Sequence, residues 1–326
     1  LAYKAGVAVY TDIADAELRA FLADYDIGEL VSVIGIAEGV ENSNYLLITD
    51  RDRHILTLYE KRVARDDLPF FLGLMHHLST RGIACPTPLA TRDGTTLREL
   101  VGRPAVIVSF LDGVWPRRIW PEHCQSLGQA LARFHMAGQD YDGQRANDLS
   151  IVGFRPLFEH SRARASEVSP GLADEIDGEI TALEADWPSD LPQGVIHADL
   201  FPDNVFFADG AVSGLIDFYF SCNDFFAYDI AICLNAWCFE VDGDFNVTKA
   251  RHLLRAYRSL RPFLPAELTA LPLLCRGAAM RFLLTRLHDW LHISENALVS
   301  PKDPMEFLRI LRFHRSVAGS GEYGLD

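Results

Sequence analysis

His197, Asp199, Asp203 and Asn204 crowd one short stretch, Gly194-Val-Ile-His-Ala-Asp-Leu-Phe-Pro-Asp-Asn-Val-Phe-Phe207, and Asp217 follows thirteen residues after Asn204. Phosphoryl transfer needs such a set. One carboxylate aims a hydroxyl nucleophile and accepts its proton, while a second carboxylate and an amide oxygen hold Mg²⁺ on nucleotide phosphates. Asp199 is the candidate for the first role, and Asn204 and Asp217 are the candidates for the second.

Short apolar strands must position these groups. Val195 and Ile196 end one strand, Pro202 rules out a continued helix, and Val205 to Phe207 form a second strand. After a turn at Asp209-Gly210, a third strand, Gly214-Leu-Ile, ends in Asp217. Protein kinases place an Asn five residues after the catalytic Asp and a metal Asp on a later strand. Asp199 and Asn204 keep that five-residue step. A His-x-Asp-x4-Asn match alone also arises by chance, and Asp and Asn crowd ordinary turns. The apolar flanks and the placement of Asp217 favour the chemical reading.

Upstream, a helix starts at Thr11-Asp12, carries Leu18, Phe21, Leu22 and Tyr25 on one face, and closes at Gly28. Leu30 to Ile34 alternates as a strand. Gly35-Ile-Ala-Glu-Gly-Val-Glu-Asn-Ser-Asn44 then leads into an apolar strand, Tyr45 to Ile48. Glycines let backbone N–H groups approach phosphates closely, so Gly35 and Gly39 with Ser43 and Asn44 are nucleotide candidates. A plain hairpin loop has the same composition. The strand His54 to Tyr59 is where a phosphate-side lysine is expected. Thr57 stands there instead, and Lys61 at the strand end is the substitute candidate. Asp67-Leu-Pro69 opens a helix with Phe71, Leu74, Met75 and Leu78 on its buried stripe. Pro104 to Gly113 is a buried strand running into a turn; Ser109, Phe110 and Leu111 are the candidates for an adenine-binding hinge. The expected division is a nucleotide-covering unit over 1–108 and a catalytic, substrate-binding unit over 109–326.

The second part reads as mostly helical. Pro121 to Ala137 is one helix, with His135 near its end in a structural role. Residues 138–170 are polar and irregular with room for one short helix, and Leu172 to Trp187 is an acid-rich helix with a solvated face. Asp229 opens an apolar helix, as its cap or as a brace for the catalytic loop. Asn223 and Asp224 look exposed. A long helix from Pro265 to His292 carries Arg281, Thr285, His288 and His292 on one stripe; Arg281 or Arg286 would pair with a substrate carboxylate.

Bulk properties narrow the function classes. The 326 residues suffice for one large or two modest cores. A net charge of −15 argues against a nucleic-acid partner, whose phosphates require a basic patch. No uninterrupted run of eighteen apolar residues occurs, so no membrane span is expected, and no secretory signal is expected. Six scattered cysteines without a Cys-x2-Cys pair point to free thiols in a reducing cytoplasm.

The His197-x-Asp199-x4-Asn204 loop and the Leu215-Ile-Asp217-Phe218 strand resemble the aminoglycoside phosphotransferase and choline kinase superfamily. Gly35 to Tyr45, His197-Ala-Asp-Leu-Phe201, Ile216-Asp-Phe-Tyr-Phe220, Arg281-Phe-Leu-Leu-Thr-Arg-Leu287 and Phe307-Leu-Arg-Ile-Leu-Arg-Phe-His-Arg315 resemble, within it, the bacterial homoserine kinases. The resemblance spans nearly the whole chain, from about residue 8. It implies an α+β, bilobal, protein-kinase-like fold with a small antiparallel sheet and a mostly helical second lobe. It also implies ATP and Mg²⁺ as cofactors and L-homoserine as the phosphorylated alcohol, a step toward threonine. Thr57 falls where many members carry Arg or Lys.

Charge matching assigns the homoserine carboxylate to Arg281 or Arg286 and its ammonium to Asp224. Two other readings stay open. One is a kinase for an aminoglycoside, choline or a sugar; aminoglycosides and choline are cations and favour acids and aromatics without an arginine. The other is a nucleotide-binding regulator without catalysis, which the substitution at Thr57 supports and intact Asp199, Asn204 and Asp217 oppose.

Overall fold

The computed structural model describes residues 11–36, 42–60, 63–292 and 301–325. The chain divides into two compact units, Leu1–Asp112 and Gly113–Asp326.

The first unit is built on a five-stranded antiparallel sheet. Its elements run α1 (Asp15–Leu22), β1 (Leu30–Ile36), β2 (Asn42–Thr49), β3 (Arg53–Tyr59), α2 (Leu68–Thr80), β4 (Arg98–Leu100) and β5 (Arg103–Ser109), and the strand order is β1-β2-β3-β5-β4. Period-two patterning decides which side chains share a face. Leu47, Leu56, Leu58, Ala105 and Ile107 are fully buried in one cluster with Leu18, Phe21, Leu22 and Tyr25 of α1 and its exit. Each leucine, isoleucine and phenylalanine among them contributes roughly 1.5–3 kcal/mol on burial. The α1 start lies at Asp15, three residues after the expected Asp12, because Ala14 is still extended. Before α2, Arg65–Asp67 makes a 3₁₀ turn and Asp67 caps nothing through its side chain, while the expected stripe of Phe71, Leu74, Met75 and Leu78 is buried.

The second unit is mostly helical: α3 (Pro121–Ala137), α4 (Ile151–Glu159), α5 (Ala165–Val168), α6 (Leu172–Asp186), α7 (Phe226–Trp237), α8 (Val247–Leu260), α9 (Pro265–Leu291) and α10 (Pro304–Ser316). Two small antiparallel pairs interrupt the helices. β6 (Gln193–Ile196) pairs with β9 (Cys222–Phe225), and β7 (Val205–Ala208) pairs with β8 (Ala211–Leu215).

α3 and α8 cross at Gly128, where an added Cβ would stand 2.2 Å from the Leu253 carbonyl oxygen. Only glycine permits that approach. The acid-rich α6 keeps the expected solvated face at Asp174, Glu184 and Asp186, and it is also a salt-bridge rack. Glu175 pairs with Arg312 and Arg315, Glu179 with Arg276 and Arg315, and Asp177 and Glu184 with Arg155. Among the described helices α9 alone has the length and apolarity to cross a membrane. Most of that stretch is buried inside the unit, and its Arg281 and Glu267 are each 1% exposed.

Candidate active site

The segment His197–Phe201 joins β6 to a 3₁₀ turn at Pro202–Asn204. A buried non-helical loop must find partners for its backbone groups, and here they come from every side. Asp229, in the first turn of α7, accepts the His197 N–H on Oδ2 and the Ala198 N–H on Oδ1, both at 2.9 Å. Arg281 Nη1 of α9 donates to the Ala198 carbonyl at 2.5 Å. Trp237 Nε1 of α7 donates to the Leu200 carbonyl at 2.7 Å. The Asp199 carbonyl accepts from the Phe201 N–H and from Asn204 Nδ2. Ala198 itself sits at φ +64°, a left-handed conformation that costs a Cβ-bearing residue roughly 1–2 kcal/mol. The bonds on both sides of its Cα hold it there.

Two hydrogen bonds set the relation of this loop to Asp217. The Ile216 N–H donates to the Asn204 carbonyl at 3.0 Å, and the Ile216 carbonyl accepts from His197 Nε2 at 3.0 Å. Asp217 is the next residue, itself left-handed at φ +63°. His197 Nδ1 accepts the Asp199 N–H, so its proton resides on Nε2. Burial pushes the His197 pKa down to about 4, and the ring acts as a neutral strut between the two loops.

Behind the loop, Asp229 is buried and ionised. Burial raises its pKa, but the hydrogen bond from His135 and the backbone bond from His197 outweigh that and hold it below the usual carboxylate range. His135 Nε2 lies 3.1 Å from Asp229 Oδ2, and its Nδ1 lies 2.7 Å from the Tyr257 hydroxyl. The α3–α8 crossing at Gly128 brings these two side chains together. Asp229 is therefore a brace for the loop, one of its two expected roles, and His135 is structural, as expected. Tyr257 and Trp237 carry no sequence signal that separates them from ordinary core aromatics.

Asn204 Nδ2 donates to the Asp199 carbonyl at 2.7 Å and to Asp199 Oδ2 at 3.0 Å. Both partners only accept, so the amide nitrogen must face Asp199 and the amide oxygen the other way. The Asn204 oxygen and the Asp217 carboxylate are hard donors of the kind Mg²⁺ takes. Among the described residues no group of three or more His, Cys, Asp and Glu forms a metal cage. Two protein oxygens completed by phosphates are how Mg²⁺ is ordinarily held beside a nucleotide, so this donor set fits.

Of the substrate candidates, Asp224 lies on β9 and is half-buried, not exposed as its sequence context suggested. Its Oδ2 accepts Asn147 Nδ2 at 2.7 Å and its Oδ1 the Phe225 N–H at 2.7 Å. Burial raises its pKa, opposed by these bonds, by Ser150 and by the charge of Arg281. Asn223 is tied to Arg145 through its N–H and Oδ1. The segment expected to be irregular thus forms a wall of this site. Arg286 stands apart: it donates to the Asp303 carbonyl and to Glu306 Oε2 at 2.6 Å, which commits it to α10.

In the first unit, Gly35 pairs with Tyr45 and Asn44 with Thr57. Thr57 Oγ1 donates to Asn44 Oδ1 at 2.8 Å, which turns the Asn44 Nδ2 donor away from Thr57. Ser43 points to the opposite face, fully buried, with its hydroxyl donating to Glu60 Oε1 at 2.7 Å. The alternation of β2 therefore removes Ser43 from Asn44's side. The Ser109 N–H donates to the Thr87 carbonyl and its hydroxyl accepts the Thr87 N–H, leaving Phe110 and Leu111 as the hinge candidates. Gly39 and Lys61 lie outside the described residues.

The model of the phosphotransferase enzyme family (APH) matches residues 32–263. A homoserine kinase of Rhodospirillum rubrum is 63% identical over 98% of this chain and 99% of its own length. A homoserine kinase of Rhodopseudomonas palustris is 64% identical over 98% of each. Among solved structures, the amicoumacin kinase hAmiN in complex with AMP-PNP, Ca²⁺ and Ami superposes with a TM-score of 0.67 at 16% identity, covering 94% of this chain and 95% of that one. The fold is thus the α+β, protein-kinase-like one, and with the extent of these matches the chain belongs to the phosphotransferase enzyme family.

Proposed function

We propose that the chain transfers the γ-phosphoryl group of ATP to the side-chain hydroxyl of L-homoserine, giving O-phospho-L-homoserine, a step toward threonine. The observation that carries this reading is identity above 60%, over nearly the whole chain, to proteins named homoserine kinase, joined to intact Asp199, Asn204 and Asp217. The six described cysteines are free and buried, in keeping with a reducing cytoplasm.

Asp199 orients the homoserine hydroxyl and takes its proton late, because the transition state is loose. Asn204 Oδ1 and Asp217 hold Mg²⁺, which neutralises charge on the phosphates. Asn44 and the backbone of Gly35 and Gly39, with Lys61, are the phosphate-side candidates of the first unit, and the backbone of Phe110 and Leu111 serves the adenine edge. Arg281 takes the substrate carboxylate and Asp224 its ammonium; Arg286, held by Glu306, is set aside.

The test is ADP release with Mg-ATP and L-homoserine, serine, threonine, choline, kanamycin or 5-methylthioribose. Turnover with L-homoserine alone is expected. Asp199→Asn should lower kcat by roughly 10²–10⁴ with the KM for ATP little changed. Turnover with another alcohol, and none with homoserine, would overturn the substrate assignment and keep the chemistry.

A further inference from the structure

Arg281 is an unusual arginine. It is 1% exposed, yet no carboxylate among the described residues forms an ion pair with it. One protein oxygen, the Ala198 carbonyl, accepts from its Nη1, and its buried Nε–H donates to no atom among the described residues. Its guanidinium lies 4.7 Å from the Phe282 ring centroid and 5.4 Å from that of Phe220. A buried cation is costly without an anion, and aromatic faces offset only part of that cost. Its charge reaches Asp224 and Cys222 on β9. The planar fork with a donor left over is the shape that accepts a carboxylate.

Among the described residues, the single hydrogen bond of Arg281 reaches the catalytic loop. The acceptor is the carbonyl of Ala198, the left-handed residue immediately before Asp199. Phe220, beneath the same guanidinium, lies three residues past Asp217. A single side chain thus contacts the loops of the general base and of the metal carboxylate. We infer that Arg281 couples recognition of the substrate carboxylate to the placement of Asp199, so that the carboxylate accelerates the chemical step in addition to tightening binding; this rests on the homoserine reading above. A bound carboxylate fixes the guanidinium plane, the guanidinium fixes the Ala198 peptide, and the Asp199 side chain is aimed. Binding energy from a remote group is in this way expressed in kcat.

The probe is 3-aminopropan-1-ol, which keeps the alcohol and amine of homoserine and lacks the carboxylate. In the wild-type protein its kcat should fall about tenfold or more below that of L-homoserine, beyond any rise in KM. Arg281→Lys and Arg281→Met should narrow the homoserine-to-aminopropanol ratio of kcat/KM toward one, because both losses then fall on homoserine. Wild-type hydrogen exchange keeps the test independent of whether the variants fold: L-homoserine should slow exchange in 197–201, and 3-aminopropan-1-ol should not. Equal fold-losses for both alcohols in the variants would reduce Arg281 to a structural lock and overturn the coupling alone. The same holds for a wild-type difference confined to KM. Absence of homoserine turnover by the wild type would overturn the substrate assignment and the coupling with it.

Discussion

Asp229 accepts the backbone N–H groups of His197 and Ala198, one on each carboxylate oxygen, both at 2.9 Å. The carboxylate faces two donors that cannot turn away, and a third, His135 Nε2, completes the set. Only an acceptor with two equivalent oxygens satisfies this geometry.

Asp229→Asn therefore keeps the shape and breaks the chemistry. Its amide nitrogen would meet either the His197 or the Ala198 N–H, leaving two buried donors face to face. A loss of about 3 kcal/mol of stability is expected, from unsatisfied buried groups and a disrupted buried charge. Because those bonds hold Ala198 at φ +64°, kcat should fall at least about tenfold as Asp199 loses its aim. Urea unfolding together with steady-state kinetics reads both. A variant with wild-type stability and kcat would mean that the loop is held without Asp229.

The sequence reveals elements where one period dominates and hides contacts made by polar side chains across long separations. Pro121–Ala137 is read to the residue because proline opens it and Gly138 follows it. The five-residue step from Asp199 to Asn204 is legible because the 3₁₀ turn is local, and their hydrogen bond follows from it. Ser43 falls on the buried face of β2, beside Glu60, and the sequence carries no sign of it because a loop-end serine reads the same on either face. The sequence makes Asp224 look exposed because its pairing with Gly194 across β6 and β9, and its bond to Asn147, are both non-local. Arg281 is legible as a polar position on an apolar helix, but its acceptor lies 83 residues away and leaves no local signal.

Thr57→Val should separate packing from alignment at the position where a basic residue was expected. Valine fills the threonine volume in a strand position that is 3% exposed, and the Oγ1 bond to Asn44 Oδ1 is lost. Asn44 is then free to turn its amide. The KM for ATP should rise severalfold with kcat within about twofold, and stability should drop by about 1 kcal/mol. An unchanged KM would remove Asn44 from the nucleotide contacts.

As the proposed partner of the substrate ammonium, Asp224 should give the reaction a pH signature. Burial raises its pKa, so on acidification it takes up a proton earlier than an ordinary aspartate, and a neutral carboxyl no longer attracts the substrate ammonium. The kcat/KM for L-homoserine should therefore fall on the acid side, through KM, at a pH above the usual carboxylate range. Asp224→Asn should raise KM about tenfold or more near neutrality and flatten that limb. An acid limb unchanged in Asp224→Asn would assign it to another group.

His314 makes acid sensitivity of the fold testable at one residue. It is 1% exposed on α10, its Nδ1 lies 2.8 Å from the Tyr323 hydroxyl and its Nε2 lies 2.7 Å from Asn235 Oδ1. Asn235 in turn donates to the Cys275 carbonyl. Nε2–H donates to the amide oxygen, so Nδ1 accepts from Tyr323, and a second ring proton would require that hydroxyl to reverse. Burial pushes the His314 pKa down to about 3, against 6.5 for an unhindered histidine. Between those values the unfolded chain binds a proton that the native ring refuses. Stability therefore rises with pH through that window and falls on acidification, by up to about 1.4 kcal/mol per pH unit for each such residue. From pH 6.5 to 5, His314 should contribute about 2 kcal/mol of the loss, and His197, with a pKa near 4, a similar amount. His314→Gln lowers stability at every pH because a glutamine amide cannot serve both partners in line. The decisive quantity is the slope: urea unfolding at pH 7 and pH 5 should show the variant losing about 2 kcal/mol less than the wild type between them. Parallel losses would mean that the native His314 takes up its proton, with Tyr323 reversing its hydroxyl to accept it.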